Sequence, residues 1–135
     1  MSHTHDFRLG PTVVTSASLQ TVGTIALTTL TETLAANEVV FAEVLMFAAH
    51  ESAAAVYSEQ WRLVFAVQLL AGPSYRLGAV TKQILNVSTP GSPVLVPNAN
   101  FDVDINGSNL RFVAQADATR GTAKTWVIAR LHPTP

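Results

Sequence analysis

Asn100-Phe101-Asp102-Val103-Asp104-Ile105-Asn106-Gly107-Ser108-Asn109-Leu110-Arg111-Phe112-Val113-Ala114 decides the fold class. Phe101, Val103 and Ile105 fall on one side of a two-residue repeat, and Asp102, Asp104 and Asn106 fall on the other. That is the period of a half-buried strand. Asn106-Gly107-Ser108-Asn109 is a turn signal, after which Leu110–Ala114 runs back. A second polar turn, Asp117–Gly121, leads into the apolar run Lys124–Leu131. Strands joined by short polar turns build an antiparallel sheet.

The same pattern extends towards the N-terminus. Leu19–Leu30 reads as a strand, with Val22, Thr24, Ala26 and Thr28 opposite Thr21, Gly23, Ile25 and Leu27. Glu38–Phe47 is apolar on both faces, as suits a buried central strand. Residues 49–55 read as a loop, with alanines that could hold one helical turn. From about Val56 onward, Tyr57, Trp61, Leu63, Phe65, Val67 and Leu69 restore the strand period. Gly72-Pro73-Ser74 is a turn, Tyr75–Ser88 a further strand, and Val94–Pro97 an edge-like segment, because proline does not sit in central strands. About seven to eight strands at this spacing, with no amphipathic helix, predict an all-β protein: an antiparallel two-sheet sandwich, jelly-roll-like. Residues 1–18 read as an extended N-terminal arm, with Gly10-Pro11 as a breaker and a short strand at Thr12–Thr15, and residues 19–135 as a single domain.

Composition narrows the partners. Charged residues make up 13% of the 135-residue chain, against roughly 25% in average soluble proteins. Hydrophobic residues make up 48%. A surface this sparsely charged predicts that part of it is covered by other chains, and sheet edges also require covering. A net charge of −1 with scattered basic residues argues against nucleic acid. The longest apolar run, Val39–Ala49, is interrupted by Glu43 and is too short to span a bilayer, so no membrane partner is expected. The polar start Met1–Asp6 lacks the pattern of a signal peptide, which predicts a protein made in the cytosol and not secreted. The absence of cysteine excludes thiolate chemistry and disulfides.

Candidate chemistry is thin. Asp102 and Asp104, about 7 Å apart on one strand face, could serve as an acid–base pair or hold calcium, but regular alternation makes them the polar face of a strand. His3 and His5 share one side of the arm and could meet at a metal in a trimer; a solvated terminus accounts for them more simply. His50 with Glu51, and His132, have no partner at a catalytic spacing. No nucleophile elbow, zinc-protease motif or phosphate loop occurs, so a non-enzyme without cofactors is expected. Tyr57, Tyr75 and Trp61 could stack on sugars if exposed, with Trp61 placed in the core by its neighbours Leu63 and Phe65. Trp126 alternates with Ile128 and is likewise expected to be buried.

The order of these features resembles modules of tailed-bacteriophage virion proteins of the head-fibre, capsid-decoration and tail-fibre kind. The carriers are the aromatic strand Tyr57–Leu69, Leu77-Gly78-Ala79-Val80, the acidic strand Phe101–Ile105, the Asn-Gly hairpin into Leu110-Arg111-Phe112-Val113, and Thr125-Trp126-Val127-Ile128-Ala129-Arg130. Residues 38–131 carry the likeness. One departure is Ala114-Gln115-Ala116-Asp117, where such modules tend to place a glycine. The resemblance implies a structural virion protein, homo-oligomeric and most often trimeric, assembled in the host cytoplasm beside capsid or tail proteins. It further implies anchoring through the arm residues Phe7, Leu9, Val13 and Val14, or alternatively host-glycan recognition through Tyr57 and Tyr75.

Overall fold

A computed structural model of the chain describes residues 4–14, 19–28, 37–50, 57–70, 74–88, 101–115 and 123–133. Among these residues lie nine strands: β1 (His5–Val14), β2 (Gln20–Ala26), β3 (Val39–His50), β4 (Tyr57–Leu70), β5 (Ser74–Leu77), β6 (Thr81–Ser88), β7 (Phe101–Asn106), β8 (Asn109–Ala114) and β9 (Ala123–Pro133). They form two antiparallel sheets, as the alternation predicts. The larger has the order β1-β9-β3-β4, with β5 and β6 sharing the far side of β4; the smaller has the order β2-β8-β7.

The hairpin that decides the fold class sits in the small sheet. Asn106 pairs with Asn109 across Gly107, whose φ of 63° suits a residue without a Cβ. The register Phe101↔Ala114, Val103↔Phe112 and Ile105↔Leu110 turns the apolar set inward. Phe101, Leu110 and Phe112 are fully buried. Facing them from the large sheet are Val40, Ala42, Val44, Met46 and Ala48 of β3, Trp61, Leu63, Phe65 and Val67 of β4, and Val127, Ala129 and Leu131 of β9. Trp61 meets Phe101 edge-on, with ring centroids 6.2 Å apart.

Three local expectations change. In β2 the register shifts between Thr21 and Gly23, and the extra residue flips the phase, so that Val22, Ile25 and Leu27 are the buried set. The expected strand Tyr75–Ser88 is interrupted at Gly78–Val80 and becomes β5 and β6. There the Gly78 N–H donates to Ala66 O at 2.8 Å, and a Cβ at Gly78 would lie 3.3 Å from that oxygen. Trp126 and Ile128 face outward, whereas Val127, Ala129 and Leu131 face the core. Both faces of β9 are apolar, so its period could not say which was inside.

Residues 5–14 of the N-terminal stretch pair with β9 of the same chain, from His5↔Leu131 to Val14↔Ala123. Phe7 and Leu9 pack against the core, Val14 is fully buried and Val13 is half exposed. A bulge between Leu9 and Thr12 contains Gly10, with φ of 105° and a would-be Cβ 2.7 Å from Thr125 O. The Thr125 hydroxyl, itself buried, donates to Thr12 O at 2.9 Å and so ties the strand beyond the bulge. The expected segments 49–55 and Val94–Pro97 lie largely or wholly outside the described residues, although β3 runs on through His50.

Truncating the core should separate the two kinds of phenylalanine. Phe112→Ala is expected to cost about 3–5 kcal/mol, and Phe41→Ala, at an outward position, to change stability by no more than about 0.5 kcal/mol. Urea midpoints at constant m-value measure both.

Candidate functional site

Among the described residues, Asp102, Asp104 and His5 do not gather into one site. Asp104 receives a two-pronged contact from the Arg111 guanidinium across the β7–β8 pair, and this hydrogen bond and charge hold Arg111 above its usual pKa. Asp102 lies 3.9 Å from Lys82 Nζ, and its Oδ1 accepts the Val103 N–H. Both carboxylates are thus about half exposed and engaged with basic groups, as strand-face residues would be. His5 stacks on Phe7 at 6.5 Å, while His3 lies outside the described residues. Among the described residues no three His, Cys, Asp or Glu side chains gather in a metal-binding group.

One partner was invisible in the sequence. His132 Nε2 lies 3.2 Å from Glu43 Oε1, and the Thr4 hydroxyl lies 3.3 Å from His132 Nδ1. The β3–β9 register, Phe41↔His132 and Glu43↔Arg130, brings Glu43 to His132, and the β1–β9 pairing that starts at His5↔Leu131 brings Thr4 to it. Hydroxyl, imidazole and carboxylate stand in the order of a catalytic triad, but at the open end of the sheet, where Thr4 is exposed. Glu43 also accepts from Arg62 at 3.4 Å, and neither groove described below includes Thr4 or His132. Although His132 Nε2 approaches Glu43 Oε1, it has no hydrogen-bond partner among the described residues, so the three groups form no continuous hydrogen-bonded relay.

The aromatic candidates are redistributed. Trp61 is in the core. Tyr75 is half-buried beside the core, and its hydroxyl is enclosed without a hydrogen-bond partner among the described residues. The side chain of Tyr57 lies outside the described residues. Trp126 is the aromatic that sequence reasoning misplaced. The register sets it against Phe47, and Ile128 against Leu45, so β9 and β3 build an apolar centre on the outer face of the large sheet. Phe41 (54% exposed), Val64 and Ile128 continue it.

Around this centre run two grooves. One of about 500 Å³ is lined by Trp126, Phe47, Ile128, Arg8 and Gln60 among others; a second of about 330 Å³ adjoins it along Arg8, Ile128, Leu45 and Arg130. Asp6 accepts from Arg130 at 2.9 Å, a contact that raises the Arg130 pKa, and Glu43 pairs with Arg62. Arg8 has no ion-pair partner among the described residues. The outer face is therefore an apolar centre rimmed by largely neutralised charge. Such a face suits contact with a macromolecule or stacking against a ring.

Two solved structures align with nearly the whole chain. The tailspike protein of Acinetobacter baumannii phage AM24 is 12% identical over 98% of this chain and 26% of its own, with a TM-score of 0.46. The tailspike protein of Acinetobacter phage vB_ApiP_P1 is 17% identical over 97% of this chain and 22% of its own, with a TM-score of 0.40. The chain thus spans about a quarter of the length of these two proteins. No protein-family model and no curated protein matches the sequence.

Burial holds the neutral form of Tyr75 and raises its pKa above the ordinary value of about 10. The unfolded chain therefore loses this proton first, and stability present below about pH 10 is lost as pH rises through the folded value. Denaturation at successive alkaline pH values should show a steeper loss for the native protein than for Tyr75→Phe.

Proposed function

We propose that this chain is a non-catalytic structural subunit of a tailed-bacteriophage virion, a homo-oligomeric capsid-decoration, head-fibre or tail-associated protein. The observation that carries the reading is the apolar outer face of the large sheet. Leu45, Phe47, Trp126 and Ile128 stand together there, Val64 and Phe41 follow beside and beyond Glu43, and Phe41, Val64 and Ile128 are exposed, in a chain with few charges to keep such a face in water. In an assembled particle that face is covered by another subunit or another virion protein. Of the segments that carry the sequence resemblance, four coincide with β4, β7, β8 and β9, whereas Leu77-Gly78-Ala79-Val80 spans the break between β5 and β6. The test has two arms: mass spectrometry of purified particles, and the mass of the isolated protein in solution. Phe41→Ser with Ile128→Ser is expected to lower incorporation into particles several-fold while leaving the thermal midpoint nearly unchanged. Full incorporation of that variant would count against the outer face as the contact.

A second reading, host-glycan recognition, is favoured by the groove at Trp126. A flat ring beside Arg8 and Gln60 offers a stacking surface with polar groups at its margin. Saturable binding on a glycan array, lost in Trp126→Ala and retained in Tyr75→Phe, would support this reading over the first.

A further inference from the structure

The two grooves of the outer face meet at Arg8 and Ile128, which line both. Their chemistry differs. The larger groove is apolar around Trp126 and Phe47, with the Gln60 amide across the β3–β4 pair from Phe47. Glu59 also borders it, but this residue is 2% exposed and shares the parity of Trp61 and Leu63, so its charge belongs to the inner side of the sheet. At the bulge of β1, Gly10 stands next to Trp126, and a glycine adds no side chain to the groove there.

The smaller groove is charged. Three guanidiniums, of Arg8, Arg62 and Arg130, border it together with the carboxylates of Asp6 and Glu43. Asp6 is engaged by Arg130 at 2.9 Å and Glu43 by Arg62 at 3.4 Å. One positive charge is left over, that of Arg8, which is exposed and forms no ion pair among the described residues. Arg8 pairs with Ile128 in the β1–β9 register, which makes Trp126 its diagonal neighbour on the outer face. Such neighbours lie about 7–8 Å apart, within reach of a long side chain. A ring platform and an uncommitted cation therefore stand one ring-width apart.

We propose that the joined grooves hold a sugar ring that carries a carboxylate, with the ring against Trp126 and the carboxylate on the Arg8 guanidinium. The proposal rests on the glycan reading above and adds to it the charge of the sugar. A guanidinium meets a carboxylate through two parallel N–H donors. One carboxylate at Arg8 brings the charge of the smaller groove to zero, and the apolar flank of Ile128 keeps water from part of the pair. A phosphodiester chain asks for a series of free cations, whereas Arg62 and Arg130 are already engaged by Glu43 and Asp6.

The test presents the full-length protein with bacterial polysaccharides printed in two forms, native and carboxyl-reduced. Reduction keeps each ring and replaces its carboxylate by a hydroxymethyl group. Native polymers of uronic or of sialic acid, printed separately to tell the two acids apart, are expected to bind at least about tenfold more tightly than their reduced forms. That gap is expected to narrow as salt rises. Arg8→Gln is expected to abolish the gap and Arg8→Lys to keep part of it, both with the thermal midpoint of the native protein, since Arg8 is exposed and outside the ion pairs. Equal binding of native and reduced polymers, or a gap that survives Arg8→Gln, overturns the carboxylate at Arg8 and leaves the glycan reading standing. Binding to no polysaccharide in either form overturns both. An unaltered gap together with lowered incorporation of Arg8→Gln into particles assigns Arg8 to a subunit contact, and overturns the proposal as well.

Discussion

The backbone of β9 is bonded on both sides, to β1 along one edge and to β3 along the other. The rest of the molecule depends on that double pairing. A strand buried within a sheet must place every N–H and C=O in a ladder or lose the free energy of each one left unmet. Meeting that condition for Ala123–Pro133 fixes the N-terminal strand, joins it to the centre of the sheet and closes the core over Val127, Ala129 and Leu131. The same register sets Trp126 beside Phe47 and Ile128 beside Leu45, so the outer apolar centre follows from the core-closing strand.

Much of this was legible in the chain. Period-two alternation with Asn106-Gly107 as the turn specifies β7 and β8 and their inner face, because only one side of that hairpin is apolar. Where both sides are apolar the reading loses its handle. β9 and β3 carry apolar residues at odd and even positions alike, and nothing local says that Ala129 is inside and Trp126 outside. That choice is made by the facing sheet, whose Phe101, Leu110 and Phe112 already fill the shared core. Bulges are harder still. One extra residue near Val22 reversed the buried set of β2, and the break at Gly78 depends on how closely the chain passes Ala66.

The candidate site was less legible than the fold, for a related reason. Glu43 and His132 are far apart in sequence, and their meeting depends wholly on the β3–β9 register. Asp102 and Asp104, two residues apart and therefore conspicuous, are instead engaged by Lys82 and Arg111. The low charge content has its counterpart in the exposed apolar side chains Phe41, Val64 and Ile128 of the outer face and Ile84 and Leu85 of β6.

The pairing of His5 with Leu131 and of Val14 with Ala123 has a consequence in time as well as in space. These contacts join opposite ends of the sequence, and the loop entropy of bringing such segments together must be met before any bond between them forms. The β3–β4 and β7–β8 hairpins are local and need no such search. Topology therefore sets the β1–β9 seam apart from the hairpins, because it joins segments far apart in sequence and carries the larger loop-closure cost.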